Sequence, residues 1–172
     1  MTELQTSRLL LRSFADGDLD EMSVLMANKD FMRFSLGVFS RAQTSGFLKK
    51  VRARARDGLP SQFGVIFRAD ERLIGYCGFF PQIVDDVEEL EIGYRINPVY
   101  WRRGIATEAA RAVRDHGFND LQLPRLISLI HPENIASRRV AEKNGMTPEK
   151  ETVFRGFPTI VFSIHQSQGN SR

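Results

Sequence analysis

The spacing of apolar residues changes twice along this chain, and each change marks a new set of elements. Arg8 to Phe14 reads as a strand, after which Leu19, Met22, Leu25 and Met26 recur at helical spacing. Asp18-Leu19-Asp20-Glu21 precedes them with an acid at the cap position and another three residues on, so a first helix with Asp18 as its N-cap is expected. Ser40-Arg41-Ala42-Gln43 repeats that logic before Phe47, Leu48, Val51 and Ala55, with a Lys/Arg face opposite and a stop at Asp57-Gly58-Leu59-Pro60. The link between the two helices, Phe31 to Phe39, is aromatic but has no period. It reads equally as a core plug or as the wall of a substrate cleft.

From Gln62 to Ile96 the period becomes that of strands: Phe63, Val65 and Phe67, then Leu73 to Phe80, then Leu90, Ile92, Tyr94 and Ile96. Ala69-Asp70-Glu71 and Val84-Asp85-Asp86 supply the turns, so an antiparallel meander is expected. A helix over Thr107 to Phe118 and a strand over Arg125 to His131 then form a crossover, which returns the chain parallel to its neighbour. Asn134 to Asn144 gives a further helix closed by Gly145, and Thr152 to Arg155 with Thr159 to His165 gives a hairpin turning at Gly156-Phe157-Pro158. Gln166 to Arg172 reads as a frayed polar tail. The resulting fold class is α/β (α+β), a single domain over residues 1–172 with a mixed, mostly antiparallel sheet and helices on both faces.

Composition narrows the function classes. With 172 residues, 42% hydrophobic and 26% charged, the chain fits an ordinary globular domain. The apolar run Leu9-Leu10-Leu11 is far too short for a signal peptide or a membrane span, so a cytoplasmic protein without a membrane partner is expected. One cysteine and three scattered histidines give neither a disulfide framework nor a metal signature, and no metal is expected. A net charge of +3 is too slight to argue for nucleic acid. The basic run at Lys49, Lys50, Arg52, Arg54 and Arg56 reads as a solvated helix face.

One stretch carries chemistry directly. Asn97 to Ala110 places Arg102-Arg103-Gly104-Ile105-Ala106-Thr107 between a strand and a helix, where backbone N–H groups and the positive helix end can cradle a phosphate. Gly104 lets the backbone approach the ligand, and the two arginines add positive charge.

These motifs together resemble the GNAT superfamily of N-acetyltransferases. Trp101-Arg102-Arg103-Gly104-Ile105-Ala106 is similar to that family's Q/R-x-x-G-x-G/A pyrophosphate loop, with Trp101 at the Q/R position. Asn134-Ile135-Ala136-Ser137 is similar to the N-x-x-S opening of its next helix. Glu91 to Pro98, Trp101 to Ala109 and the opening Thr6-Ser7-Arg8-Leu9-Leu10-Leu11-Arg12 resemble the branch containing ribosomal-protein N-terminal acetyltransferases. The resemblance covers about residues 6–165.

The resemblance implies acetyl-CoA as cosubstrate, held where two central parallel strands splay apart. Its pyrophosphate would lie on Arg102, Arg103, Gly104, Ile105, Ala106 and Thr107, and its pantetheine along Tyr94 and Ile96 and near Asn134 and Ser137. The acceptor would be a primary amine, on a protein N-terminus or a small molecule. Glu91 is the expected general base, acting through water, with Glu89 in reserve; neighbouring acids are expected to raise its pKa. Ser137 is expected near the sulfur as a proton donor, with His131 and Tyr94 as alternatives. Ala141 stands where many relatives carry an acid tyrosine. Cys77 reads as core, which favours direct transfer over an acyl-cysteine route. A homodimer is compatible with the resemblance, and the alternative function is a non-catalytic acyl-CoA-binding or ribosome-associated module on the same fold.

Overall fold

The computed structural model of the protein describes residues 2–167. Its strands are β1 (Leu4–Gln5), β2 (Leu9–Arg12), β3 (Gln62–Phe67), β4 (Arg72–Val84), β5 (Val87–Ile96), β6 (Arg125–Ile130), β7 (Thr147–Phe154) and β8 (Phe157–His165). The helices are α1 (Leu19–Met26), α2 (Arg41–Arg56), α3 (Ile105–Asn119) and α4 (Ile135–Lys143). They form an α/β fold around one eight-stranded sheet in the order β1-β2-β3-β4-β5-β6-β8-β7. Every neighbouring pair is antiparallel except β5 and β6, as the crossover through α3 requires.

Period-two patterning sends alternate side chains to opposite faces, and each face buries its own helices. Leu9, Leu11, Phe79, Ile92, Leu126 and Phe162 pack with Ile105 and Val113 of α3 and Ala141 of α4. On the other face Phe14, Ile66, Leu73 and Tyr76 pack with Met22 and Met26 of α1 and Leu48 and Val51 of α2. Each fully buried Leu, Ile or Phe contributes about 1.5–3 kcal/mol, so the two layers lock the sheet between them.

Caps decide where the helices start. Ser40 accepts the Gln43 amide while the Gln43 side chain accepts the Ser40 amide, the reciprocal box expected from the sequence. Asp18 differs. A 3₁₀ turn over Asp16–Asp18 precedes α1, and the Asp18 carboxylate caps nothing in α1. It is held by the Arg12 guanidinium at 2.7 and 2.9 Å and by the Ala15 amide at 2.7 Å. An ion pair to the preceding strand outcompetes the cap.

Other boundaries shift as well: α3 starts two residues before the expected Thr107, and β7 starts at Thr147 in place of Thr152. β1 is an added edge strand paired to β2, and β4 runs on to Val84. The closing hairpin turns at Arg155-Gly156, with φ of 50° and 81°, so Phe157 and Pro158 belong to β8. Gln166 is not loose: its amide donates to the Pro124 carbonyl and its side chain to that of Phe118. The rest of the expected tail, residues 168–172, lies outside the described residues. No helix among the described residues is long and apolar enough to cross a membrane.

Candidate active site

The parallel pair meets at one register position, Glu91 opposite Ile127. As the strands part, the Ser128 hydroxyl donates to the Ile92 carbonyl at 2.8 Å. On the other side of β5 the Asn97 amide donates to the Ile74 carbonyl, which sets the phase: odd-numbered residues of β5 bond to β4. The N–H and C=O of Tyr94 and the N–H of Ile96 therefore face the widening gap toward β6. The Ile96 carbonyl accepts the Trp101 indole N–H at 2.6 Å. Trp101 thus ties the loop to the strand end, a role unlike that of a phosphate ligand.

Beyond the strand lies the glycine turn. Arg102 and Gly104 both adopt left-handed conformations, with φ of 60° and 74°. Gly104 is the N-cap of α3 and has no side chain to cap it; the helical bonds begin with the Glu108 amide on the Gly104 carbonyl. The amides of Ile105, Ala106 and Thr107 thus have no acceptor within the helix, the condition an anion site needs. Ile105 anchors the turn in the core, and Ala106 and Thr107 are half-buried. Arg102 is exposed, whereas the Arg103 guanidinium lies 5.2 Å over the rings of both Phe67 and Tyr100. The Arg103 carbonyl accepts from Arg8, which also pairs with Glu108.

Glu91 lies on the α1–α2 side of the sheet, half-buried, with its carboxylate accepting the Gln82 amide at 2.8 Å. Burial pushes its pKa up, against hydrogen bonds from Gln82 and the Leu129 backbone and the charges of Arg155 and Arg95. The cause is therefore burial and not the expected crowd of acids. Glu89, the reserve base, is committed to Arg125 at 2.9 Å, and Arg125 also holds Glu149 at 2.6 Å. Gly93, next along this face, leaves room: a Cβ there would sit 2.9 Å from the Phe80 ring.

The gap is bridged on both faces. On the α3–α4 side the Tyr94 hydroxyl donates to the Ser137 carbonyl at 3.0 Å, tying β5 to the first turn of α4. On the other, Arg95 of β5 donates to the carbonyls of Phe31 and Arg33 at 2.9 and 2.8 Å. It holds the link so that Phe34, at φ 60°, stacks on His131 at the end of β6, with ring centroids 5.4 Å apart. Within the link, Phe31 and Met32 are buried plugs, whereas Phe34 is exposed against His131.

Around the start of α4, the Asn134 side chain accepts the Ser137 amide at 3.2 Å and acts as an N-cap. The Ser137 hydroxyl makes no hydrogen bond among the described residues, and Ala141 is buried in the core. Burial pushes the Tyr94 hydroxyl up, so it stays protonated. His131 Nδ1 accepts the Glu133 amide, leaving Nε2 to carry the ring proton in the neutral form. Cys77 is wholly buried and burial pushes its thiol far up, as the core reading expects.

An open groove of about 970 Å³ lies between β1 and the outer side of α3 and reaches the cradle turn at Gly104 and Thr107. Arg8, Glu108, Arg111 and Asp115 give it mixed charge, and neither Glu91, Tyr94 nor Ser137 lines it.

Residues 8–147 match the family model described as the acetyltransferase (GNAT) domain, and the chain belongs to that family of N-acetyltransferases. The uncharacterized N-acetyltransferase YnaD of Bacillus subtilis (strain 168) is 33% identical over 147 residues, 85% of this chain and 83% of that protein. Among solved structures, a GNAT-family acetyltransferase from Bacillus anthracis is 29% identical with a TM-score of 0.82, over 96% of this chain and 99% of that one. RimL, a ribosomal L7/L12 alpha-N-protein acetyltransferase solved with coenzyme A, is 16% identical with a TM-score of 0.80, over 95% of this chain and 98% of that one. The last is a likeness of fold alone.

Proposed function

We propose that the protein transfers the acetyl group of acetyl-CoA directly to a primary amine, on a protein N-terminus or a small molecule, in the gap between β5 and β6. The observation that carries this reading is the stretch of β5 beyond Glu91, unpaired with β6 up to Ile96, which leads from Glu91 toward the uncapped Gly104 turn. The pyrophosphate fits the amides of Ile105, Ala106 and Thr107, with Arg102 adding charge. The pantetheine fits the unpaired backbone of Tyr94 and Ile96, and one N–H of that segment polarises the acetyl carbonyl.

Glu91 takes a proton from the ammonium through one or two waters, and the freed amine attacks the thioester carbon. The tetrahedral intermediate then expels the thiolate, breaking C–S; its nitrogen gives up its surplus proton to the Ser137 oxygen as the Ser137 hydroxyl passes its own proton to sulfur, with Tyr94 as the alternative relay. The setting is cytoplasmic, as a monomer or a homodimer.

A thiol-release screen of small amines and N-terminal peptides with acetyl-CoA tests the reaction. Glu91→Gln should lower kcat/KM on the best acceptor by about 10²-fold or more while leaving donor binding by calorimetry nearly intact. Equal loss of both would make Glu91 structural. Donor binding with no turnover across the panel would favour a non-catalytic acyl-CoA-binding module.

A further inference from the structure

The turn between β7 and β8 places an arginine where one is costly. Arg155 and Gly156 have φ of 50° and 81°, the left-handed pair of a type I′ hairpin. Asn, Asp or Gly fills the first position easily, whereas other residues are strained there. The residue is exposed, but its guanidinium is engaged. It lies 5.0 Å over the Phe154 ring and donates to the Gln82 side-chain carbonyl at 3.3 Å. The Gln82 amide nitrogen donates in turn to Glu91 at 2.8 Å. A second brace holds the same two hairpins together: Asp85 accepts the Thr152 hydroxyl at 2.7 Å and pairs with Lys150 at 2.7 Å.

A glutamine can present either end of its amide to a neighbour. With Arg155 on its oxygen, only the NH₂ group can face Glu91. Reversed, the oxygen would face the carboxylate, and only a protonated Glu91 could satisfy it. We propose that Arg155 is a positioning residue that fixes the Gln82 amide with its NH₂ toward Glu91, and so holds Glu91 in the ionised, proton-accepting form. The functional consequence rests on the reading of Glu91 as the base.

The other groups around Glu91 do not hydrogen-bond to the Gln82 amide. Arg95 on β5 bonds the carbonyls of Phe31 and Arg33 and acts on Glu91 through its charge, the Leu129 backbone bonds the carboxylate directly, and Glu89 on the same face is bound to Arg125. Tyr76 from β4 and Tyr94 from β5 are neutral, since burial pushes both hydroxyls up.

The test is a ¹³C NMR titration of the Glu91 side-chain carboxyl in the ligand-free protein, its signal assigned by its loss in Glu91→Gln. Arg155→Asn removes the guanidinium and installs a residue that suits the turn, so the fold is retained and the melting temperature holds or rises. The Glu91 midpoint should rise by about 0.5–1 pH unit, because the carboxylate loses an oriented donor. Arg155→Lys should restore part of the shift. In a Gln82→Ala background, which itself raises the midpoint, Arg155→Asn should add little. No shift in Arg155→Asn overturns the proposal, as does a shift of the same size with Gln82 removed, which would make Arg155 a direct charge effect. Turnover by Glu91→Gln would instead defeat the base reading and leave the titration result standing, so the two failures are distinct.

Discussion

Glu108 fastens the opening of the chain to the first turn of the cradle helix. It accepts the Thr6 hydroxyl at 2.5 Å, the Arg8 amide at 2.9 Å and the Arg8 guanidinium at 2.7 Å. Burial alone would raise its pKa; the Thr6 and Arg8 hydrogen bonds and the Arg8 charge outweigh burial and hold it below the ordinary carboxylate value. Arg8 also donates to the Arg103 carbonyl, so one contact sets both the helix start and the glycine turn. Glu108→Ala strands these donors and should cost about 2–3 kcal/mol in urea unfolding, with weaker coenzyme A binding by calorimetry. Unchanged stability would show the contact to be incidental. Thr6-Ser7-Arg8 and Glu108 were each visible in the sequence as parts of separate motifs. Their meeting spans about 100 residues of chain and leaves no local signal.

At the scale of elements, local rules read well where nothing distant competes. The Ser40 box and the left-handed Gly104 before α3 follow from their neighbours in sequence. Asp18 has the same local pattern as Ser40, yet Arg12 claims it. The hairpin turn shifts to Arg155-Gly156 because Phe157 and Pro158 find partners in Phe154 and Val153 across the ladder. The strand gap and its glutamate are legible through motif spacing, whereas its walls are not. Phe34 and His131 come from segments with no shared period, and Arg95 holds the link beside β5 by the Phe31 and Arg33 carbonyls. If the acceptor enters past the Phe34–His131 stack, Phe34→Ala opens its path. It should raise the acceptor KM by about 10-fold, equivalent to about 1.4 kcal/mol of lost binding, and raise thiol release without acceptor by letting water in. Wild-type values for both would remove Phe34 from the site.

For the whole molecule, the sheet order sets the geometry. Joining a meander to a hairpin through one parallel pair leaves a single seam, between β5 and β6, where backbone groups lack strand partners. The caps, bridges and anchors of both helical layers converge on that seam: Gly104 at one end, Glu91 at the other, Tyr94–Ser137 and Phe34–His131 across it. The groove beside β1 is roomy, and two of its lining side chains, Arg8 and Glu108, already pair with one another. Amide hydrogen exchange with and without coenzyme A separates the two locations directly. Protection of Tyr94 to Ile96 and of Arg102 to Thr107, with Glu3 to Gln5 and Asp115 to Asp120 unchanged, is the predicted result. Protection of Glu3 to Gln5 and Asp115 to Asp120, with Tyr94 to Ile96 exchanging as in the free protein, would contradict it.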